Sequence, residues 1–213
     1  MPDIFELFKK IQSSQPHDAG VPEFIVCGLG NPGKEYLYTR HNAGFLAMDV
    51  LTQKCGVGEL KQLKFKSLTA QTTLGGHRVL LMKPQTFMNA SGEAVLEAAN
   101  FYKIPPEKII VLSDDVAQEP GRMRIRKSGS DGGQKGLRSI ITIMNTDQFP
   151  RIRIGVGEKP NREYPMADWV LGKIPEGDRE KMFKIFECTY EAVLLLLDGK
   201  TDDAMGKFNG VKF

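Results

Sequence analysis

Phe24-Ile25-Val26-Cys27-Gly28-Leu29-Gly30-Asn31-Pro32-Gly33 continues through Lys34-Glu35-Tyr36-Leu37-Tyr38-Thr39 into Arg40-His41-Asn42-Ala43-Gly44, and the rest of the chain can be understood from it. A four-residue apolar run bounded by glycine reads as a buried strand. Three glycines and a proline then force a sharp turn. A polar loop delivers an arginine, a histidine and an asparagine in succession, and a helical pattern starts directly after them. Strand ends are where α/β folds build their sites. The glycine spacing also satisfies G-x-G-x-x-G, the dinucleotide fingerprint. Pro32, however, occupies the place where that motif's helix should begin, and the nearest acid, Asp49, falls inside the next helix instead of at a strand end. A nucleotide cofactor is therefore disfavoured.

Downstream, Asn42 to Cys55 carries Phe45, Leu46, Val50 and Leu51 at helical spacing, and Gly56 to Lys66 reads as a basic loop. Leu68–Leu74 and Val79–Met82 flank Gly75-Gly76, a hairpin signal that leaves His77 exposed at the turn. Lys83 to Gly92 is a polar loop in which Asn89 or Ser91 can cap a helix over Ala94–Tyr102. The strand Lys108–Leu112 ends in Ser113-Asp114-Asp115, paired carboxylates able to bind metal, orient a base or start a turn. In Gly121–Lys127, alternation sends Arg122, Arg124 and Arg126 to one face, either as a charge-protected edge strand or as a phosphate-binding strip. The glycine-rich run 129–136 feeds a helix over Leu137–Met144. It suits anion binding at a helix start but lacks the Walker A spacing. Arg151 to Val156 is a strand with Arg151 and Arg153 on one face. Trp169 to Lys173 opens the C-terminal segment, Pro175 opens a helix to about Asp198, and Thr201 can cap a last helix over Asp202–Phe208. The order βα, ββα, ββα, β, αα predicts an α/β domain over residues 23–213, a single mixed twisted sheet flanked by helices. Residues 1–22 read as an N-terminal extension: an amphipathic stripe of Ile4, Phe5, Leu7, Phe8 and Ile11, then a polar linker.

Composition narrows the function. The 213 residues carry a net charge of only +3, so charge clustering must carry any argument about nucleic acid. No apolar run approaches a membrane span, and the N-terminus lacks a signal-peptide layout. Cys27, Cys55 and Cys188 are far apart and without ligand spacing, which suits reduced thiols in the cytoplasm. Of three histidines only His41 sits among turn signals and polar neighbours. No second histidine or cysteine stands at zinc-ligand spacing, and no serine or cysteine elbow accompanies it. A histidine with a carboxylate such as Asp114 and amides such as Asn31 and Asn89 suits water activation beside a carbonyl. The arginine strips suggest a phosphate-bearing substrate. Together these features describe a hydrolase acting on something attached to nucleic acid.

Four motifs in order carry a resemblance: Gly28–Gly33, Thr39–Gly44, Thr86-Phe87-Met88-Asn89-Ala90-Ser91-Gly92 and Arg151-Ile152-Arg153-Ile154-Gly155-Val156-Gly157. From about Glu23 onward the chain is similar to bacterial peptidyl-tRNA hydrolases. The resemblance implies a three-layer α/β sandwich, a cytoplasmic monomer with no metal and no organic cofactor, and hydrolysis of the ester joining peptide to tRNA. The implied partner is peptidyl-tRNA, held by its acceptor stem and 3′ end. Carried over, His41 is the catalytic histidine and Asp114 its partner acid. Asn31, Asn89 and Lys135 hold substrate, and Tyr36, Phe87 and Met88 lie near the site. Arg126 and Arg153 match positions that grip the tRNA 5′-phosphate, with Arg124 on the same strip. Two positions depart from the family pattern. Gln134-Lys135 stands where His-Asn is usual, and Ala117 where an acid is common. Some plant relatives are intron-splicing factors, so a non-catalytic RNA- or partner-binding role is the alternative.

Overall fold

The computed structural model describes residues 20–213; the amphipathic stripe predicted near the N-terminus lies outside them. One seven-stranded sheet has the order β2-β3-β4-β1-β5-β7-β6, made of β1 (Phe24–Gly28), β2 (Gln62–Lys64), β3 (Ser67–Leu74), β4 (His77–Pro84), β5 (Ile109–Asp115), β6 (Met123–Arg126) and β7 (Arg151–Gly155). The pairs β4/β1, β1/β5 and β5/β7 are parallel, and the outer pairs β2/β3, β3/β4 and β6/β7 are antiparallel.

β1, the middle of β4 and the start of β5 are continuous apolar runs because helices cover both faces of the sheet. Alternation divides β1 between two cores. Val26 joins Val79, Leu81, Ile110 and Leu112 beneath the helices α1 (Ala43–Lys54), α5 (Arg179–Leu197) and α6 (Thr201–Phe208). Ile25 and Cys27 join Leu80, Met82, Ile109 and Val111 beneath α2 (Ser91–Tyr102) and α3 (Lys135–Met144). The mixed sheet flanked by helices is thus as expected.

The differences are local. The segment read as a basic loop contains β2, whose hairpin turns through Phe65 and Lys66, both left-handed at φ 53° and 49°. Neither is the glycine or asparagine by which such a turn is recognised. Neither Asn89 nor Ser91 caps α2: no side chain caps that end, and the Ser91 hydroxyl donates to the Met88 carbonyl. Thr201 likewise lies inside α6 and caps nothing; Lys200 occupies the cap position. Met166–Leu171 forms a separate short helix, α4. His77 is half-buried, with Nε2 3.1 Å from the Asp198 carboxylate.

Candidate active site

The C-terminal ends of β1, β4 and β5 open onto a cleft of about 540 Å³. Its walls include Asn31 and His41 from the loop after β1, Phe87, Met88 and Asn89 before α2, and Asp114 and Asp115 at the end of β5. Gly132 to Lys135 lead into α3, Arg153 comes from β7, and Met166, Ala167, Val170 and Leu171 come from α4.

His41 sits in one turn of 3₁₀ helix, Arg40–Asn42, directly ahead of α1. That turn is anchored on three sides. The Arg40 guanidinium lies 3.6 Å above the Trp169 ring and donates to the Trp169 carbonyl, while the Arg40 amide donates to the Gly172 carbonyl. Asn42 grips the other side: its Nδ2 donates to the Asn31 carbonyl at 3.0 Å, and its Oδ1 accepts from the Asn31 amide at 2.8 Å. Behind the turn, α1 presses against the strand ends, with the Phe45 amide donating to the Leu29 carbonyl. His41 is thereby held 8% exposed beside Asp114, which is 2% exposed.

The imidazole Nδ1 lies 3.0 Å from both Asp114 oxygens. A carboxylate only accepts, so Nδ1 carries a proton, and in the neutral ring the lone pair is then on Nε2. No group among the described residues bonds to Nε2. The Asn31 side chain is fixed through Oδ1, which accepts from the Met88 amide at 2.8 Å and leaves its NH₂ without an internal acceptor. Asn89 is exposed and its side chain makes no hydrogen bond within the described residues, so its NH₂ is available too. Phe87 is 59% exposed and meets the half-buried Tyr36 edge-on at 6.5 Å; Tyr36 flanks the cleft through that contact. Met88 is buried in the floor.

Of the two neighbouring carboxylates, Asp114 faces the His41 ring and Asp115 starts a turn. Asp115 Oδ1 accepts from the Ala117 amide, Oδ2 accepts from Gln118 Nε2, and Arg153 Nε stands 3.2 Å from Oδ2. That Nε is too misaligned for a hydrogen bond, so the Asp115–Arg153 contact is a charge pair only.

Arg124 lies directly opposite Arg153 in the β6/β7 pairing, and Arg126 opposite Arg151. Arg124 and Arg126 are exposed and in no ion pair among the described residues. Arg151, read as part of a basic strip, is withdrawn from any ligand. It is 1% exposed, and its guanidinium donates to the carbonyls of Gly129, Ser130, Asp147 and Phe149. Burial pushes its pKa down to about 10. It ties the glycine-rich loop to the C-terminal side of α3. Lys135 is exposed at the cleft edge, in the first turn of α3.

Two contributors were not singled out from sequence as site residues. One is Asn42, whose side chain sets the Asn31 loop. The other is Gln134, buried, with Nε2 3.0 Å from Asp114 Oδ1 and 3.1 Å from Met88 Sδ, and with Oε1 accepting from the Leu137 amide at 2.7 Å. A polar residue immediately before an apolar helical run is a cap signal; its second contact depends on β5, twenty positions away.

Fold and site together define a three-layer α/β protein whose strand-end cleft holds a histidine–carboxylate pair among asparagines. The chain belongs to the peptidyl-tRNA hydrolase family, whose model matches residues 25–213. It is 47% identical over 188 residues to a peptidyl-tRNA hydrolase of Caldicellulosiruptor bescii, an alignment covering 88% of this chain and 97% of that one. It is 46% identical over 189 residues to one of Clostridium novyi, covering 89% and 99%. Among solved structures, the peptidyl-tRNA hydrolase of Acinetobacter baumannii superposes with a TM-score of 0.83 at 36% identity, covering 89% of this chain and 95% of that one.

Proposed function

We propose that this chain hydrolyses the ester between peptide and tRNA in peptidyl-tRNA, releasing both, with His41 as general base. The observation that carries the reading is the fixed tautomer: Asp114 holds Nδ1–H at 3.0 Å and leaves Nε2 to take a proton. Water held at Nε2 attacks the ester carbonyl carbon. As the carbon–oxygen bond forms, His41 accepts the water's proton, a step worth about 10²–10⁴ in rate. The NH₂ groups of Asn31 and Asn89 donate toward the carbonyl oxygen, where negative charge develops. When the bond to the tRNA ribose oxygen breaks, that oxygen takes a proton back from the imidazolium. Lys135 can donate a hydrogen bond to substrate and adds positive charge at the mouth, although it cannot accept one.

Residues 23–213 form the catalytic unit on this reading. Phe87, Met88 and Tyr36 line the approach of the tRNA 3′ end, and Arg124, Arg126 and Arg153 meet phosphates of the acceptor stem. The protein acts as a cytoplasmic monomer in translation, and no helix among the described residues is long and apolar enough to cross a membrane. Release of N-acetyl-amino acid from N-acetyl-aminoacyl-tRNA tests the activity. The intact protein should release it, and His41→Ala should lose at least a hundredfold in kcat/KM while melting within a few degrees of it. If the intact protein bound tRNA but released nothing, a binding-only role would replace this reading.

A further inference from the structure

Gln134 lines the cleft and makes three side-chain contacts, with the Leu137 amide, with Asp114 and with Met88. Its amide orientation is dictated: Oε1 must accept, because it faces the Leu137 N–H at the start of α3, so Nε2–H₂ must face Asp114. Asp114 is thus served by two donors at 3.0 Å, His41 Nδ1 and Gln134 Nε2. It is 2% exposed, so no bulk water replaces either. The second amide contact, Met88 Sδ at 3.1 Å, seats Gln134 against the cleft floor, where Gly136 leaves no room for a Cβ: one would come within 2.6 Å of the same sulfur.

We propose that Gln134 is a positioning residue for the hydrolysis: its amide fixes which way the Asp114 carboxylate faces and sets how strongly that carboxylate pulls on His41 Nδ1–H. The inference rests on the function proposed above. A donor at Oδ1 draws off part of the carboxylate's charge. Without it, Asp114 would stabilise the imidazolium more strongly, and His41 would hold its proton to higher pH and spend more time unable to accept one. The other charged groups around the cleft are Asp115 and Arg153, paired with one another, and Lys135 at the edge; Met166, Ala167, Val170 and Leu171 of α4 bring no charge. Gln134 itself is a neutral group in contact with Asp114.

Two substitutions separate this role from helix capping. Gln134→Thr keeps a good N-cap for α3 but is too short to reach Asp114. Gln134→Met keeps the length and excludes water but neither caps nor donates. Both should lower kcat about tenfold with KM within about twofold, and move the acid limb of kcat/KM upward by about half a pH unit. Only the methionine form should lose Tm. NMR titration of the His41 ring in the free proteins reads the same shift without turnover. The proposal is overturned if the ring titrates alike in all three proteins, or if activity follows Tm, so that the threonine form matches the parent. Absence of ester hydrolysis by the parent protein would remove the function instead, and the ring titration would still decide the role of Gln134.

Discussion

Asn31 and Asn89 are the same residue type in opposite situations. Asn31 is 8% exposed and bonded through its backbone and Oδ1, so replacing it would disturb the loop as well as the chemistry. Asn89 is exposed and its side chain has no partner among the described residues. Surface positions away from such contacts are usually worth less than about 0.5 kcal/mol, whereas one lost donor to a developing oxyanion costs about 10²–10³ in rate. Asn89→Ala should therefore leave the melting curve in place and cut kcat by that factor, as single-turnover release would show. A variant that melted early with kcat intact would return Asn89 to a structural role.

At the scale of elements, the site depends on how closely α1 approaches the sheet. Gly44 is in the first turn of α1, three residues after His41, and a Cβ there would run into the Leu112 carbonyl oxygen and come within 2.6 Å of the Leu29 amide nitrogen and carbonyl oxygen. Alanine is the better helix former by about 1 kcal/mol, but backbone atoms at the ends of two central strands cannot move aside as a flexible side chain can. The clash should win. Gly44→Ala is expected to cost about 1–3 kcal/mol, measured by urea unfolding, because an overfilled site shifts its neighbours. It should also slow the reaction by shifting the turn that carries His41. On the other side of the sheet Arg151 is the comparable anchor, because its four carbonyl partners tie the glycine-rich loop that delivers Gln134 and Lys135.

For the whole molecule, the net charge of +3 hides a strong local asymmetry. Cross-strand pairing sets Arg124 against Arg153 and Arg126 against Arg151 at one edge of the sheet, and of these four only Arg153 has a carboxylate in an ion pair among the described residues. Arg151 is buried among backbone carbonyls and Arg153 is paired with Asp115, which leaves Arg124 and Arg126 exposed and unpaired among the described residues on one face of β6. Like charges on one face of a sheet repel, and a polyanion lying along that edge would relieve them. The affinity for a tRNA substrate should then fall steeply with salt. Arg124→Ala and Arg126→Ala should each weaken tRNA binding and lower the log–log salt slope by about one. Turnover of a short aminoacyl-adenosine ester, which does not reach the edge, should be unchanged. A salt slope unaltered in both variants would place the tRNA elsewhere.

Local sequence was enough to specify every strand but β2, most helices, the family and the residue types of the cleft. Buried runs, glycine punctuation and helical periodicity are local, and the four motifs are contiguous. His41 was legible because it stands among turn signals and polar neighbours, whereas Asp114 was set apart from Asp115 only by the family resemblance, since an acid at a strand end can equally start a turn, as Asp115 does. The contact of His41 with Asp114 across 73 positions was not legible, because only the parallel pairing of β1 with β5 brings those ends together. Tertiary structure likewise made Arg151 a structural tie and Arg153 a cleft residue, although the two are equivalent by alternation: one faces backbone carbonyls and the other a carboxylate at the cleft. It also gave Gln134 its second partner. Spacing along the chain reports which face of an element a side chain takes, and packing alone decides what lies opposite.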